Sequence, residues 1–139
     1  MERKKYDLNL IRIMSIFGAT TNAQLKDAID SDELLLFIVE ENQIGKAVGK
    51  QGINVRKLEH AFNRKIKIVE FNADLKRFIE NFVYPLSVRE IREENKIVTI
   101  IGQDRKTNGL LIGRDAKNLN FLKDVVRRYF DVENIRVST

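Results

Sequence analysis

The sequence contains no cysteine, no tryptophan, one proline and one histidine in 139 residues. Without cysteine there are no disulfide staples and no thiolate metal sites, and the chain suits a reducing interior. With His60 the sole histidine, a metal centre or a nucleophilic dyad lacks partners, so no metal, no cofactor and no catalysis are expected. His60 reads instead as a surface or capping residue. Long apolar runs are also missing: the longest, such as Leu34 to Val39, fall far short of the roughly 20 residues that span a bilayer. Met1-Glu2-Arg3-Lys4-Lys5 is not followed by the apolar stretch of a secretory signal. These absences predict a soluble, cytoplasmic protein with no membrane partner.

What the chain does have is a glycine loop, used twice. Gly49-Lys50-Gln51-Gly52 follows Ile44-Gly45-Lys46-Ala47-Val48 and precedes Ile53-Asn54-Val55-Arg56. Two glycines around two polar residues, one cationic, let the backbone turn sharply and approach another backbone closely. A shift of 64 positions lays Gly45 on Gly109, Val48 on Ile112, Gly49 on Gly113, Lys50 on Arg114, Asn54 on Asn118, Val55 on Leu119 and Leu58 on Leu122. A repeat of that length describes two related domains, 1–72 and 73–139, and is too long for a solenoid unit. A unit of roughly 70 residues buries only about 60% of its unfolded surface. The halves are therefore expected to pack rigidly together, and the short connection at Asn72-Ala73-Asp74 agrees with that.

The net charge of +5 says little alone, but its distribution says more. Residues 43–67 carry Lys46, Lys50, Arg56, Lys57, Arg64, Lys65 and Lys67 against one carboxylate, Glu59. Residues 103–128 carry Arg105, Lys106, Arg114, Lys117, Lys123, Arg127 and Arg128, diluted by Asp104, Asp115 and Asp124. Cations gather around both loops, more cleanly at the first.

Periodicity supplies the elements. Residues 7–17 read as a helix capped by Asp7 and stopped at Gly18, followed by a hairpin of 23–29 and 33–40 about Asp30-Ser31-Asp32. Val55, Leu58, Ala61 and Phe62 put an apolar face on a helix after the first loop, and Lys65 to Ile68 switches to period two. The second half repeats the order. Leu75, Phe78, Ile79, Phe82 and Val83 form a helical stripe ended by Tyr84-Pro85, residues 86–93 and 96–101 form a hairpin about Glu94-Asn95, and Leu119, Leu122, Val125, Val126 and Tyr129 form another stripe. Ile135-Arg136-Val137 closes the chain as a strand. The three tyrosines, Tyr6, Tyr84 and Tyr129, and the phenylalanines fall mostly on these stripes, which favours packing over base stacking.

The order helix, strand, strand, helix, glycine loop, helix, strand resembles a type II KH domain, and Ala47 to Arg56 is close to the loop signature of KH domains in the NusA family. The resemblance covers nearly the whole chain and is to the short archaeal form, so the fold it implies is α+β, two tandem type II KH domains. It implies single-stranded RNA as ligand, with a transcription elongation or termination role and RNA polymerase as a further partner; a monomer is expected. Carried onto this sequence, the first clamp is Gly49, Lys50, Gln51 and Gly52, with Asn54, Arg56 and Lys57 on the next helix. Ile44, Val48, Ile53 and Val55 are groove candidates. Physically, glycine permits close approach, amides at a helix start face an anion, and Lys50 neutralises phosphate.

The second copy, Gly113, Arg114, Asp115 and Ala116 followed by Lys117 and Asn118, departs from the pattern. Alanine replaces the closing glycine, where it is comfortable only with a negative φ, and Asp115 puts a carboxylate where phosphate approaches. This predicts a weaker or differently used clamp, with Lys117, Asn118 and Arg105 as compensating groups. Other readings are a KH module of ribosome assembly or RNA processing, or a protein-interaction adaptor with vestigial loops. A nucleotide-binding phosphate loop fails on spacing, because three residues separate Gly45 from Gly49 and Gln51 stands where Ser or Thr would hold magnesium.

Overall fold

The computed structural model describes residues 8–138. Asp7, expected as a cap, Tyr6 and the charged N-terminal pentapeptide lie outside these residues. Contacts divide the chain into two units, the first ending at Asn72 and the second beginning at Ala73. Each holds helices and one three-stranded sheet, so the architecture is α+β.

The first unit runs α1 (Leu8–Thr21), β1 (Leu25–Asp30), β2 (Leu34–Val39), α2 (Ile44–Val48), a 3-10 turn (Lys50–Gly52), α3 (Ile53–Phe62) and β3 (Lys65–Glu70). Its sheet has the order β1-β2-β3, with β2 antiparallel to β1 and parallel to β3. The central strand is an unbroken apolar run because Leu35 to Val39 are all buried, on both faces of the sheet. On one face Leu35, Phe37 and Val39 pack with Ile13 and Phe17 of α1, Ala47 of α2, Leu58 of α3 and Ile66 of β3. Phe17 stacks on Phe37 with ring centroids 4.3 Å apart. The core thus ties both helices that flank the glycine loop to the sheet.

The second unit runs α4 (Leu75–Val83), β4 (Val88–Glu94), β5 (Ile97–Gly102), α5 (Arg105–Ile112), a 3-10 turn (Arg114–Ala116), α6 (Lys117–Tyr129) and β6 (Asn134–Ser138). Its sheet, β4-β5-β6, repeats the antiparallel and parallel pairings of the first, and each hairpin carries an irregularity near its first residue pair, Leu25/Asp27 and Val88/Glu90. Asp74 caps α4 by accepting a hydrogen bond from the Lys76 amide, and the stripe Leu75, Phe78, Ile79, Phe82 and Val83 is buried. Phe78 meets Tyr129 edge-on at 6.0 Å, and Phe82 lies 5.8 Å from Phe121, which fastens α4 to α6.

Two local expectations shift. The first helix does not stop at Gly18 but continues to Thr21, whose hydroxyl donates to the Phe17 carbonyl at 2.9 Å. Asn22 ends it with a positive φ of 57°, a conformation asparagine tolerates, and its amide bonds the Gly18 carbonyl. The second hairpin turns at Asn95-Lys96, one residue later than expected. Both residues have positive φ, 52° and 65°, as a tight two-residue hairpin turn requires.

Candidate nucleic-acid interface

The first loop is built by an abrupt break between two short helices. After Val48 the chain enters Gly49 at φ 78°, ψ 169°, a region that only glycine occupies without strain. Space demands glycine as well: a Cβ there would meet Asn54 Cγ at 2.9 Å and Ile53 Cγ2 at 3.0 Å. Gln51 (φ 55°, ψ 29°) and Gly52 (φ 73°, ψ 19°) are both left-handed, and α3 starts at once. At Gly52 the surroundings are open, with only Arg56 Nη1 at 3.6 Å from a Cβ, so glycine is favoured there by φ alone.

Two side chains lock this shape. Asn54 Nδ2 donates to the Lys46 carbonyl at 3.0 Å, bridging α2 and α3 across the turn. Arg56 Nη1 donates to the Gln51 carbonyl at 2.6 Å. Asn54 and Arg56, expected as contact residues, therefore hold the loop from within. Lys50, the Gln51 side chain and Lys57 point to solvent, and Lys46 joins them on the α2 side.

The second loop repeats the backbone conformation of the first at each position. Gly113 has φ 76°, ψ 173°, Asp115 φ 55°, ψ 32°, and Ala116 φ 59°, ψ 24°. A Cβ on Gly113 would meet Asn118 Cγ at 2.7 Å, and Asn118 Nδ2 donates to the Leu110 carbonyl at 2.9 Å, the counterpart of the Asn54 bridge. The negative φ at which alanine would be comfortable is not adopted at Ala116. The alanine is held left-handed at a cost of about 1–2 kcal/mol, in a turn that the Asn118 bridge fixes. Arg114, Asp115 and Lys117 are exposed.

The flanks differ. In α5 the Asp104 carboxylate caps the helix, accepting from the Thr107 amide at 2.7 Å, and that hydrogen bond holds it below the usual carboxylate range. In α2 the Gln43 side chain makes no cap and accepts instead from the Gln24 amide at 3.0 Å. Accordingly α2 has five residues and α5 has eight.

The structure also redraws the charge map of the first unit. Arg64 does not serve the loop: its guanidinium pairs with Asp30 at 2.6 Å and donates to the carbonyls of Ser31 and Leu34, clasping the β1–β2 turn. Lys67 is half-buried in β3, where desolvation and then the neighbouring Lys65 lower its pKa. Without these two, Lys46, Lys50, Arg56 and Lys57 remain on α2, the turn and α3, and Lys65 is exposed at the start of β3. Of the groove candidates, Ile44 and Val55 pack on the core, Val48 is half-buried and Ile53 is exposed. Leu110 is a large exposed apolar residue beside the second loop that periodicity did not single out. His60 is exposed on α3, and among the described residues no group of three or more His, Asp or Glu side chains could hold a metal ion. No helix among them is long and apolar enough to cross a membrane.

Fold and loops together define an α+β protein that presents the same tight backbone turn twice, each with an exposed cation at its second position. No family model matches the chain. It is 32% identical over 138 residues to the probable transcription termination protein NusA of Methanococcus vannielii, covering 97% of this chain and 80% of that protein. The protein of the same name from Methanocaldococcus jannaschii is 30% identical over 138 residues, and that from Thermoplasma acidophilum 28% over 127, with 75% and 88% of their lengths covered. Among solved structures, the crystal structure of APE1850 matches 96% of this chain with a TM-score of 0.75 and 27% identity. The chain belongs to the archaeal NusA family.

Proposed function

We propose that the chain is a non-catalytic transcription termination and elongation factor that binds single-stranded RNA through two tandem type II KH domains, 1–72 and 73–139. The observation that carries this reading is the repeated turn, in which two stretches of different sequence hold matching dihedral angles and matching asparagine bridges. Such a turn lets a sugar-phosphate chain approach to contact distance, while Lys50 and Arg114 supply counter-charge. Membership of the NusA family supplies the transcriptional role, and RNA polymerase is the protein partner to test.

The test replaces Lys50 and Gln51 together with Asp, confirms folding by circular dichroism and titrates single-stranded RNA. Affinity is expected to fall by about tenfold or more, and the native chain should show a log K against log salt slope of roughly −2 to −4. Unchanged affinity in the double variant would take the first loop out of the mechanism. Polymerase retention on the immobilised chain, with and without RNA, separates a direct partner from one bridged by transcript.

A further inference from the structure

We propose that Asp115 reads the sugar of the bound strand: its carboxylate accepts a hydrogen bond from a ribose 2′-hydroxyl, so the second loop selects RNA over DNA. This assignment rests on the single-strand binding proposed above and concerns how the two loops divide it. Asp115 lies at the tip of the second turn, exposed, and among the described residues none forms a hydrogen bond or ion pair with its carboxylate, although Arg114 and Lys117 flank it. An ionised carboxylate only accepts hydrogen bonds. In a sugar-phosphate backbone the phosphate oxygens and the ring oxygen also only accept, and the 2′-hydroxyl is the one donor. Phosphate is repelled and ribose is matched.

Two further observations support a working second loop. The turn persists with Ala116 in a left-handed conformation that disfavours alanine, and strain of this kind is kept where surrounding structure over-determines it. The closing residue of the first loop has open surroundings, and both turns are bridged by an asparagine from the following helix. A conformational account of Asp115 exists, since aspartate tolerates φ 55° well, but asparagine tolerates it equally. The carboxylate charge is what conformation leaves unexplained. At the matching position of the first loop Gln51 is neutral and both donates and accepts, so that loop has no comparable bias.

The experiment measures affinities of the full chain and of Asp115→Asn for one single-stranded sequence made as RNA, DNA and 2′-O-methyl RNA. Asparagine keeps the left-handed turn and removes the charge. The native chain should favour RNA over both other strands, because the methyl ether cannot donate. In Asp115→Asn the RNA-to-DNA ratio should fall by about fivefold, largely through tighter DNA binding as repulsion is lost. An unchanged ratio, 2′-O-methyl RNA bound as well as RNA, or an effect that follows the base and not the sugar would each overturn the assignment while leaving RNA binding intact. Failure of the native chain to bind any of the three strands would overturn the binding reading and this assignment with it.

Discussion

The first and second loops share a backbone and differ in chemistry. Gly49 and Gly113 occupy the same glycine-only region and each abuts an asparagine from the next helix. The closing positions, Gly52 and Ala116, are both left-handed, and at Gly52 the surroundings are open. The first glycine of each loop is thus fixed by space and dihedral angle together, and the last by dihedral angle alone. That is why the last can become alanine and the first has not. The tip residues carry the functional contrast: a neutral amide at Gln51 and a carboxylate at Asp115.

The largest expected effect breaks the shared part. Gly49→Ala and Gly113→Ala should each destabilise the protein by about 2–4 kcal/mol, since each forces a disallowed dihedral pair and a Cβ into an asparagine side chain. Chemical denaturation checks this, and a cost below 1 kcal/mol would mean that the turn relaxes without its first glycine. An intermediate effect exchanges the closing residues. Gly52→Ala should cost about 1 kcal/mol and leave RNA affinity close to native, whereas Ala116→Gly should gain about 0.5–1 kcal/mol by relieving strain, less the added freedom of the unfolded chain. A large loss of affinity in Gly52→Ala would show that a methyl group at this position blocks the ligand and would give the second loop a steric handicap.

The smallest effect concerns a feature found in the first unit. Lys67 has its pKa lowered by burial and by Lys65. The folded state therefore binds this proton less tightly than the unfolded state. The penalty is full at neutral pH, and stability rises as pH climbs from the lowered folded value toward the ordinary 10.5. Comparing Lys67→Met with the native chain across that alkaline window should show the rise only in the native protein. Parallel curves would remove burial of the charged group as a cost to folding.

Much of this was legible in the linear sequence because the signals were periodic or steric. The stripe from Leu75 to Val83 gave α4 with its bounds, since a helix that buries one face must repeat every three to four residues. Apolar runs in 34–39 and 97–101 marked the central strands. Turns were less legible: Asn95-Lys96 and Asn22 use left-handed conformations that depend on where neighbouring hydrogen bonds place the chain. At the site, the glycines, Lys50 and Arg114 stood out by type and spacing. The roles of Asn54 and Arg56 did not, because a side chain that can donate to phosphate can equally donate to its own loop carbonyl. Arg64 misled in the same way, its charge being spent on the Asp30 turn.

By itself the sequence determined that the chain is a repeat, that it is α+β, and that two glycine turns join helices in equivalent places, because hydrophobic period and glycine placement are local properties. Only the tertiary structure decided that Ala116 stays left-handed, that Asn54 and Asn118 brace the turns, and that Arg64 belongs to a hairpin. These depend on atoms brought together from distant positions or across a turn, where a few tenths of an ångström decide whether a Cβ fits and which carbonyl a donor reaches.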